Sequence, residues 1–170
     1  MRRELSEMSV VKVTSRTITA EHITISSSLT FAEARRKLED GTPKLDLNIV
    51  DYLGRGDEEK VRSYEQAGPA LSIFLDRDHG ALLKIYAQHS NAIQYEIGNP
   101  LTASKMTRHC LAAALYAPLR VVLYGNEEGE AVFEYDKPSS FFSQFGDERV
   151  TEVGIYLDKT LEAVLLDAAG

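Results

Sequence analysis

Cysteine is nearly absent from this sequence. The single residue, Cys110, cannot form an intramolecular disulfide, and no cysteine framework indicates a secreted domain. The N-terminus begins with basic residues but has no apolar run of signal-peptide length, and no later segment is long and apolar enough to cross a bilayer. We therefore expect a cytoplasmic protein that makes no membrane contact.

Positive charge is also scarce. The chain has 19 Lys and Arg residues against 26 Asp and Glu residues, which gives a formal net charge of -7. A nucleic-acid duplex would be repelled on average, so binding would need a local basic patch. The only dense basic clusters are Arg2-Arg3 and Arg35-Arg36-Lys37, and so short a cluster on a helix is usually a solvated face. We expect no nucleic-acid partner.

The common motifs of catalysis and metal binding are missing as well. The four histidines show neither HxH nor HExxH spacing, and a lone cysteine excludes Cys-x-x-Cys, so we predict no metal site. GxSxG and GxGxxG are both absent, which leaves hydrolase and dinucleotide-binding interpretations without support. No motif in the sequence indicates a particular cofactor.

The composition that remains is typical of a globular domain. Apolar residues make up 44% and charged residues 26% of the 170 residues, and a chain of this size buries roughly two-thirds of its unfolded surface in one core. We predict a single domain over residues 1–170. Within it, we expect residues 1–8 to be frayed and residues 41–68 to form a helical or loop elaboration.

Local patterns predict the first half of the fold. The β-branched stretch Val10–Ser26 shifts its apolar phase, which indicates one strand with a bulge or two short strands. Thr30 and Glu33 form a capping-box pattern before a helix over Phe31–Asp40. Two short helices or turns follow, at Leu47–Leu53 and Asp57–Gln66.

The second half reads as antiparallel strands and a closing helix. Three apolar runs separated by turn-forming residues predict a meander, and two more runs predict a hairpin across GNEEG. A stripe that recurs every three or four positions after Asp147 predicts a long amphipathic helix. The fold class is therefore α+β, a mainly antiparallel sheet with helices packed on one face and a long C-terminal helix. The five runs are Leu71–Leu75, Ala81–Ala87, Ala92–Ile97, Val121–Tyr124 and Ala131–Tyr135.

The motif Gly98-Asn99-Pro100 lies where the third of these runs ends. Asn is a strong N-cap and Pro suits the first helical residue, so the motif predicts a capped strand-to-helix junction. The same geometry also suits a ligand, because a helix N-terminus offers N–H groups and a positive dipole end to a carboxylate or phosphate. No P-loop is present. Both interpretations remain open from the sequence.

Several short motifs together resemble a bacterial family, the domain of unknown function 302. They are DH at Asp78-His79, GNP at Gly98 to Pro100, AP at Ala117-Pro118, VVLYGNEEG from Val121 and EYDKP from Glu134. The resemblance runs from about Ser72 to the C-terminus. It implies a TATA-binding-protein-like β-α-β-meander-α topology, frequent dimers and no agreed activity. The chain departs from the family where a strand is predicted after Asp78-His79, since the family often has an alanine-rich helix there.

The remaining site candidates are an Asp-His pair and two tyrosines. Asp78 beside His79 could set the tautomer and basicity of the imidazole, although with Gly80 the pair also makes a plausible hairpin turn. Tyr95 and Tyr135 fall on predicted strands, where they could line a pocket or be ordinary half-buried residues of the sheet.

Two hypotheses about function follow. The first is a non-enzymatic, homodimeric module that binds a small anionic or apolar ligand or a protein partner. The second is an enzyme, or a cofactor- or metal-binding protein, that uses Asp78 and His79 together with Asn99. The second hypothesis requires the Asp-His pair and the Gly-Asn-Pro motif to converge on one cavity.

Overall fold

Five antiparallel strands form the centre of the computed structural model, which describes residues 11–170. The spatial order follows a meander of the last four strands, with the first strand added beside the fifth. The order is therefore β1-β5-β4-β3-β2, and β1 and β2 form the two edges of the sheet. The strands are β1 (His22–Thr30), β2 (Ser72–Asp78), β3 (Ala92–Gly98), β4 (Leu119–Gly125) and β5 (Glu130–Asp136).

Helices cover one face of this sheet. Seven α-helices are present in the described residues, with short 3-10 turns at Leu83–Tyr86, Leu111–Tyr116 and Ser143–Phe145. The first and last helices pack on each other and on the sheet, and the hydrophobic core lies between them and the strands. The predicted α+β class, with helices on one face and a long C-terminal helix, is confirmed. The helices are α1 (Phe31–Gly41), α2 (Asn48–Arg55), α3 (Glu58–Ala67), α4 (His79–Leu82), α5 (Pro100–Thr107), α6 (Pro138–Phe142) and α7 (Glu148–Ala169).

Capping residues define where the two main helices begin. The Thr30 side chain accepts a hydrogen bond from the Glu33 N–H, and Glu33 Oε2 accepts one from the Thr30 N–H at 2.9 Å, so the predicted capping box is confirmed. Asp147 caps α7 by accepting the Arg149 N–H at 2.9 Å. The hydrogen bond from the Arg149 side chain also lowers the pKa of Asp147 to about 2. Both helix starts were predicted because capping is a local signal.

The prediction for Val10–Ser26 is wrong in its extent. Val10 lies outside the described residues, and residues 11–21, here called the N-terminal arm, have no regular secondary structure. β1 begins at His22 because its partner strand ends at Asp136, directly opposite, and Pro138 then starts α6. The irregularity in register comes later than predicted, between Ser26 and Thr30. The expected fraying of residues 1–8 also lies outside the described residues.

The prediction of a strand at Ala81–Ala87 is also wrong. This stretch forms α4 and the 3-10 turn that follows it, and Asp78 caps the helix by accepting the Ala81 N–H at 2.8 Å. The apolar run favoured a strand, but so short a run does not distinguish a strand from a helix. The Asp78 cap stabilises the helix at its N-terminus. The Asp-His-Gly sequence is therefore a helix start rather than a hairpin turn. A short helix, α4, therefore stands where a strand was predicted and where the resemblance implies a helix.

Of the two forms predicted for Leu47–Leu53 and Asp57–Gln66, short helices or turns, the structure has helices, α2 and α3. Asp57 caps α3 by accepting the Lys60 N–H. The chain between α1 and α2 also protects part of the β2 edge. The Leu45 N–H donates to the Ile73 carbonyl at 2.9 Å, and the Ile73 N–H donates to the Pro43 carbonyl at 2.9 Å. Edge strands with open backbone groups invite unwanted pairing, so this cover has a structural use.

Candidate functional site

The junction between β3 and α5 is built around Asn99. Its Oδ1 accepts the N–H of Leu101 at 2.9 Å and the N–H of Thr102 at 3.2 Å, and its Nδ2 donates to the Pro69 carbonyl at 3.0 Å. Asn99 as N-cap and Pro100 as first helical residue are therefore both confirmed. Both the oxygen and the nitrogen of the Asn99 amide therefore form hydrogen bonds within the protein.

The capping arrangement uses every backbone donor at the start of α5. Pro100 has no N–H, the next two N–H groups bond to the Asn99 side chain, and the Ala103 N–H donates to the Asn99 carbonyl at 2.9 Å. An anion at a helix N-terminus binds to N–H groups that lack other partners. This N-terminus offers none to a carboxylate or phosphate.

An apolar cavity of about 70 Å³ opens beside this junction. Gly98 forms part of its wall, and an added Cβ there would lie 3.4 Å from the Phe74 ring and 3.6 Å from the Pro118 Cβ. The missing side chain of Gly98 thus leaves the space between these two neighbours. The cavity is lined by Phe74, Gly98, Asn99, Pro100, Thr102, Ala103, Met106, Ala117, Pro118, Leu119 and Leu157.

Two sequence motifs meet at this cavity. β3 pairs with β4 in a register that places Ile97 opposite Leu119, so Gly98 lies beside Pro118, which follows Ala117 through a cis peptide bond. The Gly-Asn-Pro residues were site candidates from the sequence, whereas Ala117 and Pro118 were not. The signal that would have found them is the pairing of the third and fourth strands, because Gly-Asn-Pro ends one strand where Ala-Pro begins the next.

The Asp-His pair lies at the opposite end of the β2–β3 hairpin. The register pairs Ser72 with Gly98 and Asp78 with Ile93, so five residues of β3 separate the two motifs. At about 3.3 Å per residue, this is roughly 16 Å. His79 is exposed, and its neighbour Asp78 caps α4. The cavity shared by His79 and Asn99, which the enzyme hypothesis requires, is not formed.

The two tyrosine candidates are buried under the helices and do not line the cavity. Tyr95 donates a hydrogen bond from its hydroxyl to Glu39 Oε1 at 2.8 Å, and burial together with this bond raises the pKa of Tyr95. Burial, with a smaller contribution from Glu162 and Asp158, raises the pKa of Tyr135 to about 12. Both hydroxyls therefore stay protonated at neutral pH.

Neither a cluster of metal-binding side chains nor a membrane-spanning helix is present in the described part of the chain. Over residues 11–170, no group of three or more His, Cys, Asp or Glu side chains is placed to hold a metal ion. Within the same residues, no helix has the length and apolar character that spanning a bilayer requires. Cys110 follows the end of α5, is half-buried and packs against the core.

The chain is similar in sequence to one protein family and in fold to a solved structure. No curated protein matches the chain. The crystal structure of an uncharacterized conserved DUF302 protein from Bacillus stearothermophilus is similar to it, with a TM-score of 0.63 and 17% sequence identity over 88% of this chain and 98% of that chain. This similarity shows a shared fold. The sequence pattern of the domain of unknown function DUF302 matches residues 59–168, which span α3 to α7 and include both motifs at the cavity. The chain therefore belongs to the DUF302 family.

Proposed function

We propose that this chain is a non-enzymatic, cytoplasmic module that binds a small ligand through an apolar group in the junction cavity. The observation that carries the proposal is the cavity itself, since two sequence motifs from adjacent strands converge on a largely apolar wall. Of the two ligand classes that the sequence left open, the apolar one is favoured. The α5 N-terminus has no N–H group left for an anion, because Asn99 accepts them all.

The volume of the cavity limits what can enter. One water molecule occupies about 30 Å³ of liquid, so about 70 Å³ accommodates a group of two or three heavy atoms such as an isopropyl group. A larger ligand would insert one apolar end and leave the rest outside. Small apolar cavities that exclude water take up xenon and small hydrocarbons, which makes such probes suitable for a first test.

Replacing Gly98 with alanine is expected to weaken binding at least about tenfold while the fold persists. The new methyl group would sit at ordinary contact distance from Phe74 and Pro118, so it narrows the cavity at its wall without a clash. Met106 lines the cavity, and its methyl group is a local NMR reporter. The measurement is a titration of ¹³C-methyl-methionine protein with xenon and with isobutanol. In the wild type both probes should shift the Met106 signal, and in Gly98→Ala neither should.

A matched control is Gly54→Ala in α2, where nothing lies within 4 Å of the added Cβ. This variant should bind xenon like the wild type and gain about 0.5–1 kcal/mol of stability, because alanine replaces glycine within a helix. Acetate serves as the anionic probe. The proposal fails if acetate shifts the Met106 signal and xenon does not, or if Gly98→Ala retains wild-type binding.

We further propose that the module is a homodimer that pairs through the open face of the sheet, opposite the helices. Residues on this face carry both signs of charge, so that an isologous interface could pair opposite charges. The acidic side chains of Glu134 and Asp136 lie on β5. The cation of Arg77 lies on β2 toward the other edge, where it also pairs with Glu96 of β3 at 2.7 Å. A second copy related by a two-fold axis parallel to β4 would set β1 and β5 of one copy over β2 and β3 of the other, so that Glu134 and Asp136 would lie near Arg77 of the second copy. Arg120, exposed on β4, lies between them.

Light scattering after size exclusion should give a mass near twice the 18.9 kDa of the chain at micromolar concentration. Arg120→Glu should reduce the mass toward one chain, because it adds a like charge beside Glu134 and Asp136 at the interface centre. Lys60→Glu makes the same charge change on exposed α3 and should leave the dimer intact. A mass near 18.9 kDa for the wild type, or equal effects of both variants, would refute this interface.

A further inference from the structure

His22 lies on the open face of the sheet with its imidazole between two carboxylates of the neighbouring strand. Its Nδ1 is 2.8 Å from Asp136 Oδ1, and its Nε2 is 3.3 Å from Glu134 Oε2. The two partners are both on β5, more than 110 positions along the chain. We propose that this arrangement is a proton-dependent clasp that fastens the edge strand β1, and with it the N-terminal arm, to the rest of the sheet.

The chemistry of imidazole makes the clasp depend on protonation. An ionised carboxylate only accepts hydrogen bonds, and a neutral imidazole has one N–H donor and one nitrogen acceptor. Only the protonated ring can donate to Asp136 and Glu134 at once. The neutral ring leaves a nitrogen lone pair facing one of the two carboxylates. The hydrogen bond with Asp136, supported by Glu134, accordingly raises the pKa of His22 above its ordinary value of 6.5, although partial desolvation opposes the shift.

The surrounding groups hold the two carboxylates in place. The Tyr124 hydroxyl on β4 donates to Glu134 Oε1 at 2.8 Å, which leaves Oε2 to face His22. The same bond raises the pKa of Tyr124, so this donor keeps its proton through the range in which His22 titrates.

Two other elements bring charge near the ring. Arg120 and the neutral Gln94 line the same concavity as His22, from β4 and β3. Next to His22 in the chain, Glu21 forms an ion pair with Lys137 at 2.9 Å, and Lys137 immediately follows β5. The ion pair is balanced in charge, so Arg120 is the one cation of this group that opposes protonation, against two carboxylates that favour it.

The clasp lies where the N-terminal arm joins the sheet. The arm is held by polar contacts, in which Arg16 donates to the Gln144 side chain at 2.7 Å and the Lys137 N–H donates to the Glu21 carbonyl at 2.8 Å. Arg16 also lies over the Phe145 ring. Val11 and Val13 are exposed, and of the apolar side chains of the arm only that of Ile18 is half-buried. Further along β1, the Ser27 hydroxyl donates to the Ala169 carbonyl at the end of α7. Loss of the His22 contacts would therefore loosen the start of β1 and the arm before the rest of the strand.

The sign of the pH dependence follows from the raised pKa. The contribution of the clasp is fully present below pH 6.5, where His22 is protonated whether β1 is attached or detached. It is lost as the pH rises through the pKa of the attached state, because the detached ring has already released its proton. The clasp thus opens as the pH rises through the pKa of the attached state, which lies above 6.5.

The experiment combines two NMR measurements on the full chain from about pH 5 to about pH 9. The Cε1 proton of His22 reports its pKa, and hydrogen exchange reports the protection factors of the β1 amides, corrected for the intrinsic pH dependence of exchange. Each unit by which the pKa of His22 exceeds 6.5 should appear as about a tenfold fall in β1 protection across the titration. This equality between two independent measurements is a sharper test than either alone.

Variants separate the clasp from a general effect of alkali. Glu134→Gln and Asp136→Asn should each lower the pKa of His22 and reduce the fall in β1 protection, and His22→Gln should abolish the fall. His89→Gln removes another exposed histidine, outside β1, and should change nothing. The clasp is refuted if the pKa of His22 is 6.5 or lower, or if β1 protection stays constant while His22 loses its proton. Neither readout depends on a ligand in the junction cavity.

Discussion

Gly80→Ala is expected to destabilise the protein by about 3 kcal/mol or more, the upper range for overpacking a buried site. A Cβ on Gly80 would lie 2.2 Å from the Ser90 carbonyl oxygen and 3.1 Å from the Ala92 nitrogen. Both are backbone atoms, in the segment that enters β3 and in its first residue, so no side chain can rotate to make room. The free energy of unfolding, measured by urea denaturation with circular dichroism, checks the prediction.

Gly41→Ala is the control for this experiment, because nothing lies within 4 Å of a Cβ added at the end of α1. It should change the stability by less than about 1 kcal/mol. If Gly80→Ala and Gly41→Ala have the same free energy of unfolding, then the close packing of α4 on β3 does not limit the stability of the protein. A large loss would show that the glycine after Asp78-His79 is required by the contact with the backbone.

This result bears on how the Asp-His motif is understood. Asp78 caps α4, Gly80 permits the approach of β3, and His79 between them is exposed. Two of the three residues therefore have structural reasons for their positions, and neither reason involves the junction cavity roughly 16 Å away along β3. Gly98-Asn99-Pro100 has a structural reason too, but it also borders a space that a ligand can enter.

The features that the sequence predicted are those whose signals are local. The Thr30–Glu33 capping box, the Asn99 cap and the Asp147 cap each rest on residues two to four positions apart, and all three are formed. The long closing helix was equally predictable, because its buried stripe repeats at a fixed spacing over 22 residues.

The features that the sequence did not predict depend on distant partners. Whether residues 11–21 form a strand is decided by where β5 ends, and no pattern within the arm contains that information. The Asp-His pair that the sequence suggested at adjacent positions occurs instead between His22 and Asp136, 114 positions apart. The cavity could be predicted only in part. Gly98 was a candidate from its own motif, whereas Phe74 and Pro118 can be assigned to the cavity only when the strand register is known.

Met106→Ala is expected to cost about 2–5 kcal/mol of stability and to convert the junction cavity into a site for a larger ligand. Met106 is 1% exposed and lines the cavity, so its truncation removes both buried apolar contact and part of the cavity wall. Benzene, too large for a space of about 70 Å³ in the wild type, should then raise the melting temperature of the variant. Thermal unfolding with and without benzene measures both effects.

Two further variants test whether the new space joins the proposed site. Met106→Leu nearly conserves volume, so it should cost less than about 1.5 kcal/mol and gain no benzene response. In the double variant Gly98→Ala/Met106→Ala, the added methyl group lies in the wall between Phe74 and Pro118 and should remove most of the benzene stabilisation. If benzene stabilises the double variant as strongly as Met106→Ala alone, then truncation has opened a separate void and the junction cavity is not the binding site. If the response is lost, the glycine of the Gly-Asn-Pro motif and the methionine of α5 border one continuous space, as a ligand site at this junction requires.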